Sequence, residues 1–489
     1  MSDYFRNKVH HKEIVATFDD VLILPGFTKT YDIDISTKIG KYQFNVPIIS
    51  AAMDTVTEDK MAIKMALLGG LGVLHRNCSH DKQLKMCKNV KRARSFVIRD
   101  VATIDIDSTL IEATSLMEQE GISGLVVVDK ENKVNGILTK RDIPFTEDKI
   151  KSGKVVDYIT KNIISIERES SREEALDILY QNRIEKLPII ENGYLKGLIT
   201  KKDLKPEFPY ASIDEEGRLL CALAISPKLP ESSEAQNKLK NIDKYVDIFF
   251  TDVAEFYKEK DILGVKELMN FLDSDFVLGN IGTYEGAEHL LTKCDFDSDK
   301  FIGIKVGMGS GSICSTSIQT GVGAPTLYAT AAVADAIQDY NPKMSLIADG
   351  GFKNPGDLPK AFSVGANLIM SGHFFAGCSE SPGYIDTIQG RKVKVYRGMG
   401  SQNARDIGFV ADRYIEGSKL LPEGVSSYLP FVGGLPSVIQ TLVQGLKNGM
   451  IYAGATKIVE MKKVKIGIVS YAGQREARPH DLLDNISYY

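Results

Sequence analysis

No run of about 18 apolar residues occurs in this sequence, so a membrane-spanning helix is not expected. The N-terminus is polar and lacks an apolar core of the kind a secretory leader needs, so no leader is expected either. Six cysteines stand at 78, 87, 221, 294, 314 and 378. They form no CxxC pair and no His-spaced cluster, which argues against a disulfide framework and a zinc site and fits a reducing cytoplasm. Positive charge is not in excess: the net charge is −4 and the pI about 6.1. Nucleic acid is therefore not an expected partner. The local basic run Lys88, Lys91, Arg92 and Arg94 reads as a solvated helix face. What remains is an ordinary balance of 43% hydrophobic and 25% charged residues over 489 positions, enough for two or three domains.

The stretch 303–323 stands out from that background. An apolar run ends near Val306 and enters a loop with Gly307, Gly309 and Gly311, followed by Ser312, Cys314 and Thr316. Alternating glycines let backbone groups approach a ligand closely, because no Cβ intervenes. A structural thiol prefers an apolar interior, so a cysteine at the tip of such a loop reads as a nucleophile at the mouth of a phosphate-bearing pocket. The plain alternative is a glycine-rich turn with an incidental cysteine.

Residues 95–205 contain an internal repeat of about 95–150 and 151–205. Glu112-Ala113, Leu116-Met117, Gly121-Ile122 and Val127-Val128 recur as Glu174-Ala175, Ile178-Leu179, Arg183-Ile184 and Ile189-Ile190, an offset of 62. Gly136–Asp142 recurs as 197–203, an offset of 61. The unit reads helix, strand, turn, strand, helix. It resembles a tandem pair of cystathionine-β-synthase (CBS) regulatory modules. That resemblance implies that Thr139, Asp142, Thr200 and Asp203 bind regulatory adenine or guanine nucleotides, the hydroxyls taking phosphate and the carboxylates ribose. Helix capping by the same Thr and Asp side chains is the alternative.

Either side of the repeat, short apolar runs alternate with helical segments. The runs lie at 46–51, 69–75, 219–226, 246–252, 276–281, 301–306, 345–351 and 368–373, and most end in Asp, Gly, Asn or His. Helices are expected at 57–68, up to about 91, and at 233–239, 265–271, 326–338 and 357–364. Eight parallel strands with polar C-terminal ends predict an α/β chain: a (β/α)8 TIM barrel whose active site lies on that face. The barrel comprises 1–94 and 206–489, interrupted after its second strand–helix unit. A doubly wound open sheet is the other fold the pattern allows. An extended arm or hairpin opens the chain over 17–39. Residues 384–435, rich in Gly, Arg, Ser and Pro, are too long for a passive loop and predict a lid or flap. A helix over 435–449 and a polar tail follow.

Four motifs converge on the predicted face: Gly311-Ser312-Ile313-Cys314 with Thr316, Asp349-Gly350-Gly351, Ser371-Gly372-His373, and Tyr396-Arg397-Gly398-Met399-Gly400-Ser401. With Asp412-Arg413-Tyr414 and the inserted repeat, they resemble the IMP dehydrogenase / GMP reductase superfamily, and within it the dehydrogenases, over nearly the whole chain. The resemblance implies NAD-dependent oxidation of inosine 5'-monophosphate to the xanthosine nucleotide, a step toward guanine nucleotides. Cys314 would attack C2 of the purine, Thr316 would lie beside the base, and Arg413 with Tyr414 would activate water from a mobile flap. Ser312, Gly351, Gly372, His373 and Tyr396 would take the phosphate and Asp349 the ribose. Gly398, Met399, Gly400, Glu423 and Met53 would complete the base site. Asp252, Asn280, Gly307 and Gly309 would face the cofactor. Carbonyls of Gly309, Gly311 and Cys314 would hold a monovalent cation, potassium in the family. Glu476, Ala477 and Arg478 of a neighbouring subunit would complete that site. A homotetramer, or an octamer, is implied.

The chain departs from the dehydrogenase pattern in places. Val253-Ala254-Glu255-Phe256-Tyr257 replaces small polar residues and glycine, and His373 stands where Ser or Gly is common. Asp252-Val253-Ala254 and Thr320-Gly321-Val322-Gly323 lean toward the NADPH-dependent GMP reductases. The catalytic Glu of those reductases would fall at Gln402, which has no ionisable carboxylate. A third reading is a catalytically silent nucleotide sensor built on the barrel.

Overall fold

The computed structural model describes residues 14–93, 97–98, 101–144, 146–168, 172–201, 204, 208–409 and 421–479. It divides into two compact units, one formed by 1–91 with 208–489 and the other by 92–207.

The larger unit is a closed barrel of eight parallel strands. In chain order these are β1 (Ile48–Ser50), β2 (Leu71–Leu74), β3 (Ala222–Ile225), β4 (Ile248–Thr251), β5 (Asp275–Ile281), β6 (Phe301–Val306), β7 (Ser345–Asp349) and β8 (Leu368–Ser371). Closure comes from β8 against β1, with Ile369 opposite Ile48, and the insertion is bridged where Ala222 of β3 pairs with Val73 of β2. The open sheet is thereby ruled out. Strands of a parallel barrel are covered on both faces, so they read as continuous apolar runs. Ile49, Val73, Ala224, Phe250, Val277, Ile347 and Met370 fill the interior, while Leu74, Leu223, Phe249, Leu278, Ile304 and Leu346 face outward into the helical layer. Each such large side chain contributes about 1.5–3 kcal/mol on burial. Helix α1 (Asp59–Leu67) packs on β2 where Gly72 has no Cβ; one added there would stand 2.5 Å from the Ala62 Cα.

The floor of the barrel is sealed by a hairpin, Thr37–Ile39 against Tyr42–Phe44. Ile39, Tyr42 and Phe44 join the interior cluster, and the Tyr42 hydroxyl donates to Asp275 at 2.7 Å at the start of β5. The opening arm is tied to the tail, since Val21–Ile23 pairs with Ile466–Ile468. Lys91 corrects the expectation of a solvated basic face. It is 4% exposed and bridges Asp214 at 2.8 Å and Asp247 at 2.5 Å.

Within 384–435 the described residues form a three-stranded antiparallel sheet of Asp386–Ile388, Arg391–Arg397 and Ser426–Pro430. The long helix Leu435–Ala453 follows and packs through Leu435, Ile439, Leu442 and Leu446. Among the described residues no helix is long and apolar enough to cross a membrane.

The unit 92–207 holds two similar three-stranded sheets. Gly124–Val128 pairs with Val134–Thr139, and Lys186–Glu191 with Tyr194–Thr200. Both pairs carry an irregularity at equivalent places, Val127/Val128 and Ile189/Ile190. The helices Leu110–Gln119 and Arg172–Gln181 precede them.

Candidate active site

The C-terminal ends of the barrel strands surround a cavity of about 180 Å³. Its wall brings together eighteen of the residues singled out from the sequence. Met53 follows β1, Asp252 follows β4 and Asn280 lies on β5. Gly307, Gly309, Gly311, Ser312, Cys314 and Thr316 follow β6, and Asp349 and Gly351 close β7. Gly372 and His373 follow β8. Tyr396, Gly398, Met399, Gly400 and Glu423 come from the segment beyond the barrel.

Of the six cysteines, five are buried and Cys314 is half-buried. Its amide donates to the Gly311 carbonyl at 2.9 Å, and the loop is stitched to the late segment by Ser315 N to Glu423 O at 3.0 Å and Val425 N to Ile313 O at 3.0 Å. The thiol lies 3.2 Å from the Thr316 hydroxyl. Thr316, 3% exposed, opens a five-residue helix that ends at Gly321. Gly307, at φ +120°, is required: a Cβ would stand 2.4 Å from the Asp349 carbonyl.

Asp349 is not alone. Lys305, 5% exposed, sends its ammonium into the cavity and pairs with the Asp349 carboxylate at 3.0 Å. The same ammonium donates to the Asn280 side-chain carbonyl, and the Asn280 amide reaches the Gly307 carbonyl and, at 3.4 Å, Asp349. The sequence signal was a lysine inside an otherwise apolar strand.

At another side of the cavity lie Ser312, Gly351, Gly372, His373 and Tyr396. A Cβ at Gly372 would meet Met53 Sδ at 2.7 Å and the Tyr396 hydroxyl at 2.8 Å, so the backbone there approaches the cavity as only glycine allows. Tyr396 is 3% exposed; burial pushes its phenol up to about 12, against a hydrogen bond with Ser312. Burial also pushes the His373 imidazole below its ordinary value, and its Nδ1 is buried without a hydrogen-bond partner among the described residues. Phe18 stacks on Phe352 with ring centroids 4.9 Å apart, bringing the opening arm beside Gly351.

Two further ion pairs frame the site, and neither was foreseen from sequence. Arg76 donates to Asp252 through Nε to the carboxylate at 3.1 Å and through its second terminal nitrogen to the carbonyl at 3.0 Å. It also reaches the Phe409 carbonyl at 3.3 Å. Arg397 grips Asp54 with two bonds of 3.0 and 2.9 Å. Below them Glu58 is held down to about 2 by His75 first and by Lys82, against desolvation.

Other predicted residues are not among those lining this cavity. Glu476 closes the helix Tyr471–Glu476, and Ala477 and Arg478 follow it; the neighbouring Gln474 bonds Asp20 at 3.2 Å, and Arg478 bonds Asp19 at 3.4 Å. Gln402 donates to Asp406 at 2.7 Å. Thr139 directs both its amide and its hydroxyl to Asp142, at 2.8 and 2.7 Å, and Thr200 ends its strand. Arg413, Tyr414 and Asp203 lie outside the described residues. Among the described residues no cluster of three His, Cys, Asp or Glu side chains suits a metal ion.

Comparison with known proteins gives a consistent picture. A family model described as IMP dehydrogenase / GMP reductase domain matches residues 15–480. An inosine-5'-monophosphate dehydrogenase of Korarchaeum cryptofilum is 43% identical over 98% of this chain and all of its own length. That of Methanocaldococcus jannaschii is 41% identical over 98% of this chain and 97% of its own. Among solved structures, a cysteine-to-alanine GMP reductase of Trypanosoma brucei, in complex with guanosine 5'-monophosphate, superposes with a TM-score of 0.83 at 32% identity. It covers 98% of this chain and 100% of that one.

Proposed function

The chain belongs to the IMP dehydrogenase / GMP reductase family, a family of oxidoreductases, and on that premise we propose that it oxidises inosine 5'-monophosphate to xanthosine 5'-monophosphate with NAD. The observation that carries this reading is the Cys314 thiol, 3.2 Å from the Thr316 hydroxyl, on a cavity that also presents a carboxylate and a cluster of glycine amides. The curated relatives, named as dehydrogenases at 41–43% identity, support the direction of the reaction.

The nucleotide's phosphate is taken by Ser312, His373, Tyr396 and the amides at Gly351 and Gly372. Asp349, its charge balanced by Lys305, accepts from the ribose hydroxyls. Met53, Gly398, Met399, Gly400 and Glu423 hold the base with C2 toward Cys314. The sulfur, its proton released to solvent, adds to C2, and the hydrogen at C2 departs with its electron pair. A covalent nucleotide on Cys314 splits one hard substitution into two easier steps. Water then adds to C2, the C–S bond breaks, and the sulfur leaves as thiolate while the water's protons go to base and solvent. Arg413 and Tyr414 activate that water. Thr316, hydrogen-bonded to the sulfur, orients it at both steps.

The cavity suits a nicotinamide beside Cys314: Phe250 and Val253 offer an apolar wall, and Asp252 and Asn280 offer polar groups. Gly307 and Gly309 complete that side. NAD, when bound, supplies the hydride acceptor. The carbonyls of Gly309, Gly311 and Cys314 suit a hard monovalent cation such as potassium. Glu476, Ala477 and Arg478 of a neighbouring copy complete that cation site in a homotetramer or octamer. The inserted unit, read as a tandem CBS pair, binds adenine or guanine nucleotides at Thr139 with Asp142 and at Thr200 with Asp203. A cytoplasmic setting fits the six free cysteines.

NADPH-dependent reduction of guanosine 5'-monophosphate is the second reading, favoured by the likeness to the Trypanosoma brucei reductase. Gln402 weighs against it, because an amide cannot exchange the proton a carboxyl would. Incubating the protein with the inosine nucleotide and NAD while following NADH tests the choice. NADH formation supports the dehydrogenase, NADPH consumption with the guanosine nucleotide selects the reductase, and silence in both selects a nucleotide sensor.

A further inference from the structure

The phosphate end of the cavity poses a charge problem. A nucleotide monophosphate is largely a dianion at neutral pH, its second ionisation lying near pH 6. Amides and hydroxyls solvate it but do not neutralise it. Among the described residues, the cations near this cavity are already matched to carboxylates or held by carbonyls. Lys305 pairs with Asp349 at 3.0 Å, Lys353 with Asp19 at 2.6 Å, and Arg397 with Asp54 at 2.9 Å. Lys394, 1% exposed, spends its ammonium on the Cys378 and Ser381 carbonyls at 3.0 and 2.6 Å.

His373 differs from all of these. It lines the cavity directly after Gly372, its ring centroid 6.4 Å from that of Tyr396. Its Nδ1 is buried and has no partner among the described residues. A buried nitrogen left unpaired costs free energy unless a ligand satisfies it. The ionisable group shown beside it does not compete for the proton: burial pushes the Tyr396 phenol up to about 12, and it stays neutral.

Resting on the nucleotide reading above, we infer that His373 is a proton-accepting ligand of the substrate phosphate, so that one proton enters the protein with each nucleotide. Before the nucleotide binds, burial disfavours the charged imidazole. A dianion beside it favours the charged form and raises its pKa in the complex. The proton comes from solvent and goes to the imidazole, which then donates to a phosphate oxygen. The sign follows from the same shift. The complex binds more protons than the free protein, so affinity grows as pH falls from alkaline values toward neutrality. It levels off near pH 6, where the phosphate itself takes up a proton. A serine at this position would bind phosphate without any such dependence.

Calorimetric titration of the intact protein with the inosine nucleotide, without NAD, measures this directly in two buffers of different ionisation enthalpy. The expected result is uptake of on the order of one proton per nucleotide near pH 7, with affinity weakening up to tenfold per pH unit above the imidazole's value in the complex. His373→Gln and His373→Ser, each verified by a cooperative melt, should bind with no uptake and no pH slope. Inosine, lacking the phosphate, should give no uptake in the parent. Uptake absent from the parent, or unchanged in both variants, overturns the inference. NADH formation by a parent protein that shows no uptake sinks the role of His373 alone. Failure to bind the nucleotide sinks both this role and the function it rests on.

Discussion

Lys305, 5% exposed, and Asp349 meet at 3.0 Å across the ends of adjacent strands β6 and β7, and both line the cavity with Cys314. The register brings the two close: Lys305 lies opposite Ile347, two residues before Asp349, and both line the cavity. A lysine there without its partner would be a buried, uncompensated charge.

Replacing Lys305 by Met leaves Asp349 and Asn280 without their shared donor. Removing one partner of a buried pair costs about 3 kcal/mol or more. Denaturant titration of Lys305→Met should therefore lose on that scale, and inosine nucleotide affinity should fall with it. Unchanged values for both would mean that Lys305 is dispensable to the ribose side of the site.

Arg76 holds Asp252 through both its carboxylate and its carbonyl and reaches the Phe409 carbonyl as well. Lysine keeps the charge but loses the planar fork. Arg76→Lys should raise the KM for NAD about tenfold or more, the worth of a lost charge-assisted bond, with a smaller change in the KM for the nucleotide. Equal changes in both constants would contradict a positioning role confined to the cofactor side.

Glu58 is held down to about 2 from an ordinary 4.5, by His75 first and by Lys82, whose ammonium is half exposed. A depressed carboxylate contributes stability that is fully present above its unfolded value and is lost as pH falls through its folded one. Allowing for solvent screening, Glu58→Gln should cost about 2 kcal/mol at neutral pH. The gap to the parent should narrow as pH drops from about 4.5 toward 2. A constant gap across that window, measured by denaturant unfolding at each pH, would assign the loss to something other than ionisation.

The barrel was legible because strands covered on both faces are apolar at most positions and end in polar residues at the rim. The glycine-rich loop and the late Tyr396 motif were legible because each is contiguous. The charge pairs were not, for a simple reason. Lys305 and Asp349 are 44 residues apart, Arg76 and Asp252 176, and Asp54 and Arg397 343. Only closure of the barrel reveals such partners. The sheet inside 384–435 was not foreseen, because its central strand inverts the usual pattern. Lys394 is buried at 1% exposure while Val395 is 38% exposed, so alternation pointed the wrong way. Lys91 misled similarly, since a lysine in a basic run hides its acidic partners Asp214 and Asp247.

The most direct test of covalent chemistry at Cys314 is peptide mass spectrometry after acid quench of the protein turning over the inosine nucleotide with NAD. The account predicts a nucleotide-sized mass gain on the peptide containing Cys314, absent when either substrate is omitted. It also predicts that Cys314→Ala loses the adduct and, by a thousandfold or more, on the scale of lost nucleophiles, its turnover. Undiminished NADH formation by Cys314→Ala, with no adduct on the parent, would contradict it.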